Sequence, residues 1–292
     1  MARRNRRKRR NRGRFGALYK LLSALLIFAA VLTGCVVFFR VDSILVTGQS
    51  QYTEEEIIQV AGVKQGDNLF RLNKSYIAEQ VITSLPYVDK ISISRKLPDT
   101  LVLTVTECIP AVTVQVEGET WLLDVKCKLL ERGEAAQGHT VAALYGITPL
   151  APAVGQSLEV DEAETQRLES LRGLLSALSA EQMTGSVRGF MDLTADNKIR
   201  FSYGDALTVV MPMIADFDRY VFRLKRTLLN MDDNGVERAG TLDLSYEDGA
   251  HLFPERWMPD PQAVATPSPT PEPTPEPGAA VSQEPQTPAQ GD

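Results

Sequence analysis

Apolar and polar positions divide the chain into stretches with different patterns. Residues 21–39 contain no charged side chain, and Lys20 and Arg40 bound this run. From Arg40 to Met258, some segments alternate apolar and polar residues, as strands do, and others repeat apolar residues at helical spacing. This mixture is typical of an α+β fold. After Met258, proline alternates with threonine, serine and glutamate. Such a composition cannot bury a core, so residues 259–292 are predicted to form a disordered Pro-rich tail.

The uncharged run has the length of a transmembrane helix. Nineteen residues of α-helix span about 28 Å, close to the roughly 30 Å of a bilayer's hydrocarbon core. Tyr19 lies at one end of the run, and Phe38 and Phe39 lie at the other. The sequence therefore predicts one transmembrane helix over residues 21–39.

The distribution of charge predicts how that helix is oriented. Residues 1–41 hold eleven of the 31 Lys and Arg side chains and no Asp or Glu, so the rest of the chain carries twenty bases and 37 acids. Basic segments remain on the cytoplasmic side of a membrane. Residues 1–20 are thus predicted to be a basic cytoplasmic segment in contact with membrane lipid, and the C-terminus is predicted to be extracytoplasmic. Because the basic residues adjoin an apolar run and lack interleaved aromatics, nucleic acid is not an expected partner.

A string inside the apolar run leaves a second kind of anchor open. Leu32-Thr33-Gly34-Cys35 resembles the lipobox of bacterial lipoproteins, in which cleavage leaves a lipidated cysteine. The apolar run continues beyond Cys35, which favours a small-residue patch in a spanning helix. The alternative hypothesis is a lipid-anchored extracytoplasmic surface protein with a binding module.

Residues 40–108 carry the signals of a β-α-α-β-β unit. Alternation predicts the strands, apolar residues at helical spacing predict the helices, and Thr, Asn and Ser are the usual N-cap residues. The predicted elements are a strand ending at Gly48, a helix capped by Thr53, a helix capped by Asn73 or Ser75 and ended by Pro86, and strands around residues 91–94 and 101–106.

Residues 109–258 are predicted to form a mixed, β-rich domain with two helices. The second of these helices is expected to begin at Pro212 and to place Ile214 in the core with other apolar residues at three- and four-residue spacing. The last strand is expected to be Gly240–Tyr246. The other predicted elements are strands at residues 112–116, 121–124, 187–193, 199–203 and 207–211, and a helix over residues 161–180.

No pattern in the chain predicts catalysis, a cofactor or a metal site. Phosphate-binding loops, zinc motifs and nucleophile motifs do not occur, so an enzyme is not expected. Residues 230–235 resemble the start of a calcium loop, but Thr241 stands where the bidentate Glu is required, so a helix-to-strand turn is predicted. Cys108 and Cys127 both lie in the extracytoplasmic part, where a disulfide or two free thiols are equally consistent with the sequence.

Three strings in this order resemble a known family. They are Val41–Gly48, Gly66–Leu72 with its Gly-x-Asn-Leu-Phe turn, and Leu85-Pro86-Tyr87-Val88 continuing to Glu107-x-x-Pro110. A β-α-α-β-β unit directly outside one membrane helix is similar to the POTRA domain of the FtsQ/DivIB bacterial cell division proteins. The family usually has Arg after that Glu, whereas this chain has Cys108.

The resemblance implies a non-enzymatic, bitopic membrane scaffold of the divisome, located in the cell membrane at the septum. It implies partners of the FtsB/DivIC and FtsL kind, each with a single membrane helix. In the family, a closing edge strand binds the partner by strand addition. Carried over residue by residue, this implies partner-binding roles for Leu244, Tyr246, Asp248 and Gly249.

Overall fold

A computed structural model describes residues 13–246 and 249–260, apart from the side chains of residues 13–15, 17 and 35–37. The chain divides into one unit that ends at Met258 and another that begins at Pro259. The predicted basic segment (residues 1–20) is described only from Gly13, and nearly all of the predicted tail lies outside the described residues. The disorder of the tail therefore stays a prediction.

The first helix, α1 (Gly13–Phe38), covers most of the uncharged run. Within the described residues, no helix combines the length and the apolar character that crossing a membrane requires. The prediction of a transmembrane helix over residues 21–39 is therefore not confirmed. Residues 35–37 of that span, which include Cys35 of the lipobox-like string, are outside the described side chains.

The first lobe, residues 39–107, has the predicted β-α-α-β-β order. Its sheet has the order β1-β3-β2, with β1 parallel and β2 antiparallel to the central β3. The helices cover one face of this sheet and enclose a core that includes Ile57, Leu69 and Leu101. The elements are β1 (Ser43–Thr47), α2 (Glu54–Ala61), α3 (Lys74–Ser84), β2 (Val88–Lys96) and β3 (Thr100–Glu107).

Local signals account for the boundaries of this lobe. Thr53 and Glu56 form a capping box at the start of α2, as the sequence predicted for Thr53. Asn73, rather than Ser75, caps α3 by accepting a hydrogen bond from the Tyr76 amide. Gly48 ends β1 at a φ of +85°, where an added Cβ would lie 2.2 Å from the Val105 carbonyl oxygen. Only glycine fits this position without displacing β3.

The second lobe, residues 108–258, is built on one larger sheet. Its strand order is β12-β11-β10-β9-β8-β7-β4-β5-β6. The strands are β4 (Pro110–Val116), β5 (Glu119–Asp124), β6 (Leu129–Arg132), β7 (Ala142–Tyr145), β8 (Val187–Asp192), β9 (Lys198–Tyr203), β10 (Leu207–Pro212), β11 (Gly240–Asp243) and β12 (His251–Phe253). The helices are α4 (Glu134–Gln137), α5 (Thr165–Ala180) and α6 (Phe217–Asp233).

Helices α5 and α6 pack together and share a hydrophobic core with the sheet. Fully buried leucines of both helices contact strand residues such as Phe201 and Val209. A separate cluster joins the lobes, because Tyr87 of the first lobe packs with Cys108 and Leu130 of the second. The Lys126 ammonium also contacts the Asp89 carboxylate at 2.5 Å across this junction.

Two predictions about α6 need correction, and the structure decides the question that the sequence left open about the cysteines. Pro212 is the last residue of β10 and not the first residue of a helix. Helix α6 begins at Phe217, because Asp216 caps it by accepting a hydrogen bond from the Arg219 amide. Ile214 lies before the cap and is 74% exposed, so its predicted place in the core is wrong. Cys108 and Cys127 are both free and buried, which resolves the alternative left open by the sequence.

Candidate partner-binding edge of the second lobe

The large sheet ends at β12, which the sequence did not predict. Strand β11 is shorter than the predicted Gly240–Tyr246 and lies inside the sheet, parallel to β10 and antiparallel to β12. The predicted closing strand corresponds to β11 and is therefore not the edge of the sheet. This corrects the expectation from the sequence. Strand β12 pairs with β11 on one side and is the last strand of the described sheet on the other.

A single glycine permits β12 to reach β11. Gly240 has a φ of +98°, and an added Cβ would lie 2.1 Å from the Phe253 carbonyl oxygen. No side chain fits in that space, so any larger residue would separate the two strands. This requirement links two positions thirteen residues apart and has no local signal in the sequence.

The carboxylate of Asp243 ends β11. Its Oδ1 accepts a hydrogen bond from the Ser245 amide at 2.8 Å, and its Oδ2 lies 3.0 Å from the Lys198 ammonium. Burial by itself would raise the pKa of Asp243, but these bonds from Ser245 and Lys198 outweigh it and lower the pKa. The charged carboxylate therefore turns the chain out of the strand.

Arg223 of α6 holds the loop that follows. Its Nη2 donates to the carbonyl oxygens of Leu244, Tyr246 and Gly249 at 2.7, 3.2 and 2.9 Å. Carbonyl groups without a strand partner are costly unless a donor satisfies them. The guanidinium group supplies that donor for three residues, so α6 holds the chain at Leu244, Tyr246 and Gly249.

The predicted site residues have different surroundings in this loop. Leu244 is fully buried in the core, so its side chain does not face a partner. The Tyr246 side chain is 45% exposed, and its ring centroid lies 4.5 Å from that of His251. Gly249 lies in open space, where an added Cβ would contact nothing within 4 Å. Asp248 is outside the described residues. The partner-binding role assigned to these four residues stays a prediction.

Two further apolar side chains are exposed on the edge strand itself. Leu252 and Phe253 are 39% and 44% exposed. Leu252 pairs with Leu242, whose side chain belongs to the core, and Phe253 pairs with Thr241. Because successive residues of a strand point to opposite faces, the two side chains lie on opposite faces of the sheet. We call β12 together with Tyr246 the closing edge.

After β12 the chain returns across the sheet. Thr241 Oγ1 donates to the Glu255 carbonyl oxygen and accepts from the Trp257 amide, at 2.7 and 2.8 Å. The Trp257 ring packs against Phe190, and the Arg200 guanidinium lies 4.4 Å from its centroid. The patterns in the sequence did not predict this segment, although Trp257, after the last predicted strand, was a signal that more structure follows.

The remaining reactive side chains have structural roles. Burial raises the pKa of both Cys108 and Cys127 to about 12, so both thiols are protonated at neutral pH. His139 lies 3.3 Å from the Tyr87 hydroxyl and 3.4 Å from the Glu131 carboxylate at the junction between the lobes. Among the described residues, no group of three His, Cys, Asp or Glu side chains is placed to hold a metal ion.

A calcium role for residues 230–235 has no support in the structure. Asn230 and Asp232 belong to the last turn of α6, and Asn234 caps its C-terminus. The Asp232 carboxylate forms an ion pair with Arg238. The predicted helix-to-strand turn is confirmed.

Comparisons with known proteins agree with this architecture. Residues 39–107 match the family model described as "POTRA domain, FtsQ-type". The cell division protein FtsQ of Corynebacterium glutamicum is 28% identical over 177 residues, which cover 58% of this chain and 71% of that protein. The cell division protein DivIB of Clostridium botulinum is 23% identical over 221 residues, which cover 75% and 83%. FtsQ of Geotalea daltonii is 33% identical over 87 residues, about a third of either chain. A match of 221 residues is longer than the first lobe, so the similarity extends into the second.

Proposed function

We propose that this protein is a non-enzymatic scaffold of the division machinery. The proposal starts from the finding that the chain belongs to the FtsQ/DivIB family of bacterial cell division proteins. In this proposal it binds single-pass partners of the FtsB/DivIC and FtsL kind and supports formation of the septum. The two relatives are named as cell division proteins, and the family model is named for an FtsQ-type POTRA domain.

The closing edge is the observation that carries the proposal. A terminal strand presents backbone groups to which a strand of another chain can add, and exposed apolar side chains on both faces add contact area. Strand β12 is terminal in the described sheet, and Leu252, Phe253 and Tyr246 are exposed along it. Arg223 donates to the carbonyl oxygens of Leu244 and Tyr246, so these two residues are held in place before a partner binds.

Attachment to the cell membrane through α1 is a further part of the proposal. Large apolar side chains are exposed on all sides of this helix, including Leu22, Leu26, Ile27 and Phe28. A helix that is apolar all round is stable only where something apolar surrounds it. With the basic residues on the N-terminal side, the positive-inside rule then places both lobes outside the cytoplasm. A reporter enzyme that is active only outside the cytoplasm should be active when it is fused after Met258, and an inactive but stable fusion would contradict this topology.

Site-specific photo-crosslinking in dividing cells tests the partner site. A photoreactive amino acid at Phe253 should capture a single-pass division protein, whereas the same group at Phe222 should not. Phe222 is a matched control because it is 53% exposed on α6, which makes it as accessible as Phe253. Equal capture at both positions, or no capture at Phe253 while the chain is present at the septum, would contradict the proposed edge.

A further inference from the structure

A cluster of three aromatic rings, two of them exposed and one half-buried, lies where α1 meets the first lobe. The Phe38 and Phe39 rings contact edge to face with centroids 5.4 Å apart, and Phe39 contacts Phe70 in the same way at 5.1 Å. Phe38 is 68% exposed and Phe70 is 52% exposed. Although the lobe has a well-packed core, it leaves these large rings on its surface. We call the three rings the junction surface.

Backbone hydrogen bonds hold Phe70 beside the end of the helix. The Leu69 amide donates to the Phe39 carbonyl oxygen at 3.0 Å, and the Val41 amide donates to the Asp67 carbonyl oxygen at 2.8 Å. Leu69 is fully buried in the core of the lobe, and its neighbour Phe70 points outward. The exposure of Phe70 is therefore imposed by the packing of Leu69 and does not result from a loose chain.

Side chains also position the Phe70 ring. The Phe70 amide donates to Asn68 Oδ1 at 3.0 Å, which fixes the turn. The Arg95 guanidinium lies 5.7 Å from the ring centroid, and its Nη2 donates to the Leu72 carbonyl oxygen at 3.2 Å. The Phe70 ring is thus held by the Arg95 cation and by the Phe39 ring, and its remaining surface is free to contact another molecule.

The charges around the junction surface suit a membrane interface. Arg40 and Arg71 are exposed beside the rings, and their long side chains can reach phosphate groups. Asp42 is also exposed, whereas the Asp67 carboxylate accepts a hydrogen bond from the Lys64 amide within its own loop. The net charge of the region is small, so apolar contact rather than attraction between charges is its main feature.

We infer that the junction surface inserts into the headgroup region of a lipid bilayer and sets the first lobe against the membrane. Phe38 belongs to the same helix as the exposed apolar side chains between Leu18 and Leu32, so a bilayer that surrounds α1 would also meet Phe38 and its neighbour Phe70. Phe, like Trp and Leu, is typical of the apolar faces that proteins bury at the boundary between lipid headgroups and acyl chains. This inference rests on the proposed attachment to the membrane through α1.

Tryptophan fluorescence of the full chain in phospholipid vesicles tests the inference. Three single variants are compared after the signal of the parent protein is subtracted: Phe70→Trp at the junction surface, Leu25→Trp within α1, and Ile214→Trp on the second lobe. Lipids carrying bromine either near the headgroup or deep in the acyl chain quench nearby indole rings. Phe70→Trp should be quenched mainly by shallow bromine and its emission should shift to shorter wavelength. Leu25→Trp should be quenched mainly by deep bromine, and Ile214→Trp should be quenched by neither.

The outcomes separate the inference from the proposed function. If Leu25→Trp is quenched and Phe70→Trp behaves like Ile214→Trp, the junction surface is not in the membrane and the inference is overturned. If Leu25→Trp is not quenched, attachment through α1 is refuted, and an unquenched Phe70→Trp then overturns the inference as well. Because Phe70 is exposed, its substitution should leave the fold intact, which circular dichroism can verify. Vesicles with and without anionic lipid should give the same Phe70→Trp quenching, because charge is not the main attraction.

Discussion

The two ends of the large sheet are built in opposite ways. At the β6 end, the Leu129 amide donates to the Gln156 carbonyl oxygen, and its carbonyl oxygen accepts from the Gly155 amide. A coil segment thus covers the edge, and Leu129 and Leu130 are each only 1% exposed. At the β12 end no described segment covers the strand, and Leu252 and Phe253 are exposed. An uncovered apolar edge is a liability for aggregation. That the described residues cover one edge and leave the other open supports β12 as a binding strand.

The largest expected effect is the difference in stability between two leucine variants, one at each end of the sheet. Leu129→Ala removes a fully buried side chain and should lower the free energy of unfolding by about 2–5 kcal/mol. Leu252→Ala removes a partly exposed side chain and should lower it by less than about 1 kcal/mol, while weakening partner binding several-fold. Chemical denaturation of the full chain in detergent, together with partner pull-down, measures both. Similar losses of stability in the two variants would show that the ends do not differ.

A substitution at Gly240 tests whether pairing of β12 with β11 is needed for binding. Gly240→Ala places a Cβ against the Phe253 carbonyl oxygen, so β12 should separate and partner affinity should fall by about tenfold to a hundredfold, or roughly 1.4–2.8 kcal/mol. Gly235→Ala is the matched control, because Gly235 also has a positive φ but an added Cβ meets nothing within 4 Å. Hydrogen exchange should show faster exchange in residues 251–253 of Gly240→Ala alone. Equal affinity for both variants would mean that the paired form of β12 is not the binding site.

The smallest expected effect is the pH dependence of stability that Asp243 provides beside the β12 end of the sheet. The lowered pKa of Asp243 means that its charged form contributes stability above its ordinary pKa of about 4, and that this contribution is lost as the pH falls through the lowered value. Asp243→Asn should therefore cost about 1 kcal/mol at pH 7, and the difference from the parent should shrink below pH 4. Asp196→Asn is the control, since Asp196 pairs with Arg167 while its side chain is 96% exposed. A difference for Asp243→Asn that is the same at pH 7 and pH 3 would exclude a role for the charge.

Local signals explain why the first lobe could be predicted from its sequence. The capping box at Thr53, the cap at Asn73 and the alternation of β2 and β3 each depend on residues only a few positions apart. The prediction for α6 failed where two local signals competed. Proline and three-residue spacing suggested a start at Pro212, but Asp216 supplies the cap and Ile214 remains outside.

The candidate site was predicted only in part. Tyr246 is exposed at the closing edge, but the alternation of residues 240–246 suggested a strand that continues past Asp243. The side chains that end the strand and guide the loop, Lys198 and Arg223, come from β9 and α6. Their contacts join residues more than twenty positions apart, and no pattern within a short window can indicate them.

Spacing and local capping were enough to predict the helices and strands of the first lobe, the two long helices of the second lobe and the likeness to division proteins. The position of β12 at the edge, the burial of Leu244 and the exposure of Phe70 beside α1 became evident from the three-dimensional structure alone. The physical reason is that an edge, a buried side chain and an exposed ring are defined by what lies next to them in space. Gly240 shows this most directly: its need for glycine exists only because the Phe253 carbonyl oxygen lies against it.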